Sequence, residues 1–190
     1  MAGPDTRVEV RSGAELHDWL ARNHAVSRSV WLVTYKKHHP DYMDYGTIVE
    51  ELMVWGWVDS RTLKIDDDRS GLLIAPRNPI SAWSAPNKDR IDRLRAAGRM
   101  MPAGEALVAA AKANGMWEFL DDVERLEVPD DLNAALGARR PDWDAYPRSI
   151  KRGALEWIKT AKTPPTRAAR IGDVVESLKQ GLRPSPFRRK

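Results

Sequence analysis

The sequence has no cysteine, which excludes disulfides, thiolate metal sites and cysteine nucleophiles together. Histidine is scarce: His17, His24, His38 and His39 are the whole supply. His38 and His39 are adjacent, and neither they nor His17 and His24 have the i, i+4 spacing that aims two imidazoles at one zinc ion. No metal is expected. G-x-S-x-G, the P-loop and G-x-G-x-x-G are all absent, so the sequence offers neither a nucleophile elbow nor a phosphate cradle, and no cofactor is expected. No stretch approaches the roughly 20 apolar residues that span a bilayer. The opening MAGPDTRVEVRSG lacks the apolar run of a secretory signal, which makes the cytoplasm the expected location and a transmembrane segment unexpected.

What is present is ordinary for a globular chain. Hydrophobic residues make up 42% and charged residues 31% of 190 residues, enough for one sizeable core or two small ones. The eight tryptophans are many for this length and are read first as packing residues, since indole buries a large apolar area. Charge is unevenly placed. From Arg148 onward there are twelve Lys/Arg against Glu156, Asp173 and Glu176, a net of +9. The whole chain is +4, so residues 1–147 carry −5. An acidic body with a basic end suggests an anionic partner, such as nucleic acid, lipid headgroups or an acidic protein. A solvated helical surface with a basic tail would produce the same pattern.

The apolar periodicity predicts a helix over Gly13–Asn23, with Ser12 as N-cap and Glu15 completing a capping box. A strand is expected in 28–37 (RSVWLVTYKK), then a helix capped by Asp44 and stopped by Gly56. Two strands, 57–65 and 72–75, flank the acidic turn DDDRSG and predict a hairpin. Helices follow after the Ser84 cap and over 103–113. Beyond about residue 125 only helical signals remain: 130–139, 147–162, and a last helix capped by Thr163 after the Pro164-Pro165 break. The expected fold is α+β, with a helix–strand–helix–hairpin–helix part followed by an all-helical part. The expected boundaries are 1–125, 126–182 and a disordered basic tail over 183–190.

Two groups of residues are candidates for binding. In a strand Trp57, Asp59 and Arg61 share a face, and Arg77 enters from the neighbouring strand end. Ser81, Ser84 and Asn87 add hydrogen-bonding groups near a helix N-terminus, with Trp83 among them. The alternative is purely structural, with Asp59 and Arg61 paired, Ser84 a cap and Trp83 a core plug. The second group is Lys159, Lys162, Arg167 and Arg170, clustered about one helix–helix turn where they could grip phosphates. The triplet Asp66–Asp68 lacks the other ligands of a calcium loop and is read as a solvated turn. No catalytic constellation is recognised.

The segments ELHDWLARNH, VWLVTYKK, VWGWVDSRTLKIDDD, APRNPISAWSAPNKDRIDRLRAAGRMMPAG and ALEWIKTAKTPPTRAARI resemble the YdeI/OmpD-associated family, also labelled bacteriocin-protection proteins. The resemblance implies a role in bacterial resistance to bacteriocins or cationic antimicrobial peptides and implies no enzymatic activity. The N-terminal part also resembles the YjbR/CyaY-like α+β group. Pro165 departs from the family, where an acidic residue is expected before Thr-Arg. Two functions are therefore expected as alternatives. One is a non-enzymatic stress or resistance protein whose basic helices bind an anion. The other is a small-molecule binder or enzyme using a pocket around Trp57, Asp59, Arg61, Arg77 and Trp83.

Overall fold

A computed structural model describes residues 6–188. The chain divides into two compact units, the first ending at Glu118 and the second beginning at Phe119. The fold is α+β, with all the strands of the described residues in the first unit. Among the described residues no helix is long and apolar enough to cross a membrane.

The first unit runs β1 (Arg7–Glu9), α1 (Gly13–Asn23), β2 (Val30–Tyr35), α2 (Tyr45–Val54), β3 (Trp57–Lys64), β4 (Arg69–Pro76), α3 (Ala85–Ala96) and α4 (Pro102–Ala113). The sheet order is β1-β2-β4-β3, with β1 parallel to β2 and the other pairs antiparallel. Helix α1 begins where the sequence places it. The Ser12 hydroxyl accepts from Glu15 N, although the Glu15 carboxylate accepts from Arg11 N and so does not close the expected box on Ser12. Asp44 caps α2 by accepting from Thr47 N. The hairpin turn is tighter than expected because Asp66 Oδ1 accepts from both Asp68 N and Arg69 N. That turn starts β4 at Arg69, three residues before the predicted strand. β1 was not legible in the sequence: Arg7 and Glu9 flank a single valine, and the three become a strand where β2 offers an edge and Val8 packs against the core.

Two apolar clusters share α2. Ile48 and Leu52 pack with Leu16, Leu20, Leu32, Trp57, Leu72 and Ile74 against the sheet. Val49, Met53 and Val54 pack with Trp83, Ile91, Leu94 and Val108 against α3 and α4. A helix apolar on two sides is a buried helix, and α2 is the central element of this unit. Gly104 is required where α4 crosses it, since a Cβ there would lie 2.4 Å from the Val54 carbonyl oxygen.

The second unit comprises α5 (Asp121–Glu124), α6 (Asp130–Leu136), α7 (Arg140–Asp144), α8 (Arg148–Lys159) and α9 (Pro164–Lys179). The expected helix over 130–139 is interrupted at Gly137, where φ is +46° and a 3-10 turn begins. Helix α8 stops at Lys159, before the expected end at 162 and ahead of the prolines, while Pro164 and Pro165 open α9 as its first two residues, with Thr163 accepting from Thr166 N. The tail expected to be disordered from Arg183 is instead placed through Arg188 with a 3-10 turn over Ser185–Phe187. The Asp173 carboxylate accepts from both the backbone N–H and the hydroxyl of Ser185. Residues 189 and 190 lie outside the described residues.

Candidate functional site

The eight tryptophans are packing residues, as expected: Trp57, Trp83 and Trp143 are buried and the other five are half-buried. Two of the buried three also form a cleft. Its floor is Val49, Leu52 and Met53, one face of α2, and Tyr45 stands at the N-terminal end of that helix. Gly56, Trp57, Val58 and Asp59 at the start of β3 form one wall. Arg77, Trp83, Asn87 and Arg90 form the other, and the cavity measures about 130 Å³.

Local chemistry fixes this arrangement. Gly56 adopts φ +74°, which turns the chain from α2 into β3, and its carbonyl accepts from Arg77 N at 2.9 Å. That bond fastens the end of β4 beside the start of β3. Asn78 then bends the chain through Ile80 and Ser81, accepting from both backbone N–H groups. Trp83 is held by its own N–H, which donates to Met116 O at 3.1 Å. The Arg77 guanidinium consequently lies 4.1 Å from the Trp83 ring centroid, and its Nη2 donates to Ala82 O at 2.7 Å.

Arg77 is electrostatically unusual. Among the described residues no carboxylate approaches it within ion-pair distance, and its Nε is buried without a hydrogen-bond partner. Burial alone pushes its pKa below the ordinary guanidinium value, and no nearby charge opposes the shift. On the opposite wall Tyr45 Oη donates to Asp59 Oδ2 at 2.7 Å. Burial of the phenol, and after it the Asp59 carboxylate, raise the Tyr45 pKa, so the phenol stays protonated. Arg90 Nη1 donates to Asn87 Oδ1 at 3.3 Å and has no ion-pair partner among the described residues.

The structure thus brings Trp57, Asp59, Arg77, Trp83 and Asn87 together and leaves Arg61, Ser81 and Ser84 outside the cleft lining. Arg61 is exposed because the strand alternation fails. Asp59 pairs with Ile74 and Thr62 with Leu72, so the pairing register shifts between Asp59 and Thr62. That irregularity turns Arg61 away from the side Asp59 occupies. Asp59 therefore pairs with Tyr45 and not with Arg61. Ser84 occupies the N-cap position of α3 without making a side-chain cap bond. Tyr45 and Arg90 are lining residues that sequence reasoning missed. Arg90 was within reach, lying three residues after Asn87 on one helix face.

The second candidate group is already occupied by its own unit. Lys159 Nζ donates to both oxygens of Asp122 at 2.6 Å. Arg167 makes a two-pronged pair with Asp131, at 2.6 and 2.9 Å. Its guanidinium holds the Asp131 carboxyl below the usual carboxylate range. Arg170 donates to Trp157 O and lies 5.2 Å from that indole centroid. Of the four, Lys162 is exposed and has no partner among the described residues. Among those residues no cluster of three or more metal-ligating side chains occurs.

Residues 8–107 match the family model described as Domain of unknown function (DUF8412). Residues 125–181 match the one described as Bacteriocin-protection, YdeI or OmpD-Associated. The chain belongs to the DUF8412 family and carries a YdeI/OmpD-associated domain. All the cleft residues fall in the DUF8412 match and all four basic candidates in the YdeI/OmpD-associated one. No curated protein and no solved structure matches the chain.

Proposed function

We propose that this is a bacterial stress or bacteriocin-protection-type protein that acts by binding a small molecule in the cleft of its first unit. The observation that carries this reading is the convergence of two indoles, two guanidiniums, a carboxylate, a phenol and an amide on one cavity with an apolar floor. Ligand sites are built in that way, from an apolar body and a few directed polar groups. The YdeI/OmpD-associated match supports the protective role and leaves the ligand open. Binding is favoured over catalysis because the one carboxylate of the lining, Asp59, already accepts from the Tyr45 phenol, and no histidine, lysine or serine stands beside the pair in the lining. The same proposal takes the N-terminal part as YjbR/CyaY-like, on the order helix, strand, helix, hairpin, helix.

An anion held by the basic helices is the less favoured reading, since Lys159 and Arg167 already face carboxylates of their own unit. The test is a thermal-shift screen of small molecules against the full chain and its Trp83→Phe and Asn87→Ala variants. Stabilisation that weakens in the variants supports the cleft. No stabilising compound, together with nucleic acid that copurifies and is stripped by salt, would transfer the function to the basic helices.

A further inference from the structure

The charge and size of the cleft specify more than that a ligand binds. Resting on the cleft reading above, we infer that the ligand is a small arene carboxylate, one ring in size, whose carboxylate is taken by Arg77. The charge count comes first. Arg77 and Arg90 bring two positive charges against the single negative charge of Asp59, which the Tyr45 phenol already engages. The guanidinium of Arg77 lines the cleft with no carboxylate beside it, so the site lacks one counter-charge. A ligand carboxylate supplies it. Arginine's planar fork matches carboxylate geometry, and such charge-assisted bonds are roughly twice as strong as neutral ones.

Size comes second. A cavity of roughly 150 Å³ holds one benzene molecule, and this one measures about 130 Å³. A nucleotide or a folded peptide is therefore too large to enter whole. Shape comes third. Trp57 and Trp83 are covered by their own neighbours, Trp83 by Arg77 and Trp117, so a flat apolar ring suits the floor of Val49, Leu52 and Met53 with the two indoles beside it in the lining. Asp59 and Asn87 remain to read a polar substituent on the ring's far edge.

The test uses the full chain and three probes: benzoate, benzamide (the ring without the charge) and acetate (the charge without the ring). Binding is followed through the indole N–H resonances of Trp57 and Trp83, assigned by Trp→Phe variants. Benzoate is expected to shift both resonances saturably and to bind at least about tenfold more tightly than benzamide or acetate. Arg77→Met is expected to abolish that preference while leaving benzamide binding unchanged, and Arg90→Gln to weaken benzoate less. Benzamide binding as tightly as benzoate would overturn the anionic ligand and leave the cleft reading standing. Acetate binding as tightly as benzoate would overturn the ring. If none of the three moves either resonance, the cleft reading falls with the inference.

Discussion

At the residue scale, Arg77 and Trp57 are both at least half buried in one cleft yet do different things for the protein. Trp57 is 2% exposed and packs with Leu16, Leu52 and Ile74. Replacing it by alanine removes its transfer energy and leaves a void, for an expected loss of about 3–5 kcal/mol in urea unfolding. Arg77 has no carboxylate to pair with, so Arg77→Met removes a buried charge as well as its contacts with Trp83 and Ala82. Those effects oppose one another, and the unfolding midpoint is expected to move by no more than about 1 kcal/mol equivalent. Asp59, Arg77 and Asn87 were legible as candidates from their types and spacing. Arg61 was misplaced because the local register shift between Asp59 and Thr62 is invisible to a two-residue periodicity.

At the scale of elements, α2 and the α8–α9 pair carry the consequences. Helix α4 crosses α2 at Gly104, where a Cβ would meet the carbonyl oxygens of Val54 and Met53 at 2.4 and 2.8 Å. Both contacts are backbone, so neither can rotate away. Gly104→Ala is expected to destabilise the first unit by about 1–3 kcal/mol, read from its thermal transition. In the second unit, Arg167 holds Asp131 below the ordinary carboxylate value, as Lys159 does Asp122 against the opposing effect of its burial. Carboxylates depressed in the fold stabilise it fully above their unfolded value, near about 4, and lose that contribution as pH falls through the folded value. The contribution of these two pairs to the stability of this unit is thus expected to be flat in pH above about 4 and to weaken below it. Asp131→Asn should blunt the acid dependence and cost about 1 kcal/mol or less at neutral pH, because the pair is partly exposed. Helix starts were the best-read features, since Ser12, Asp44 and Thr163 act through bonds to residues only three away. Ser84 shows the limit, as it holds the cap position without the cap bond.

For the whole molecule, the contrast between an acidic body and a basic end changes meaning. The second unit contains the acidic residues Asp122, Glu124 and Asp131 as well as their partners Lys159, Arg152 and Arg167. The opposing charges that pointed outward in the sequence meet within one unit. A fragment beginning at Phe119 carries its own buried set, including Leu132, Trp143, Ile158 and Val174. It is expected to unfold cooperatively by circular dichroism, whereas a fragment beginning at residue 126 lacks Asp122 and Glu124 and should melt at lower temperature.

The sequence by itself determined the α+β class, the caps of the main helices and the hairpin, and it singled out Trp57, Asp59, Arg77, Trp83 and Asn87, five of the twelve residues that line the cleft. Each of these depends on neighbours within a few positions or on a fixed period. The tertiary structure alone decided that β1 is a strand, that Tyr45 completes the cleft, and that Lys159 and Arg167 face carboxylates of their own unit. Those outcomes depend on which distant groups meet. Charge and hydrogen-bond capacity are written in the sequence, but what satisfies them is chosen by packing, which leaves Arg77 without a counter-charge and gives Arg167 one.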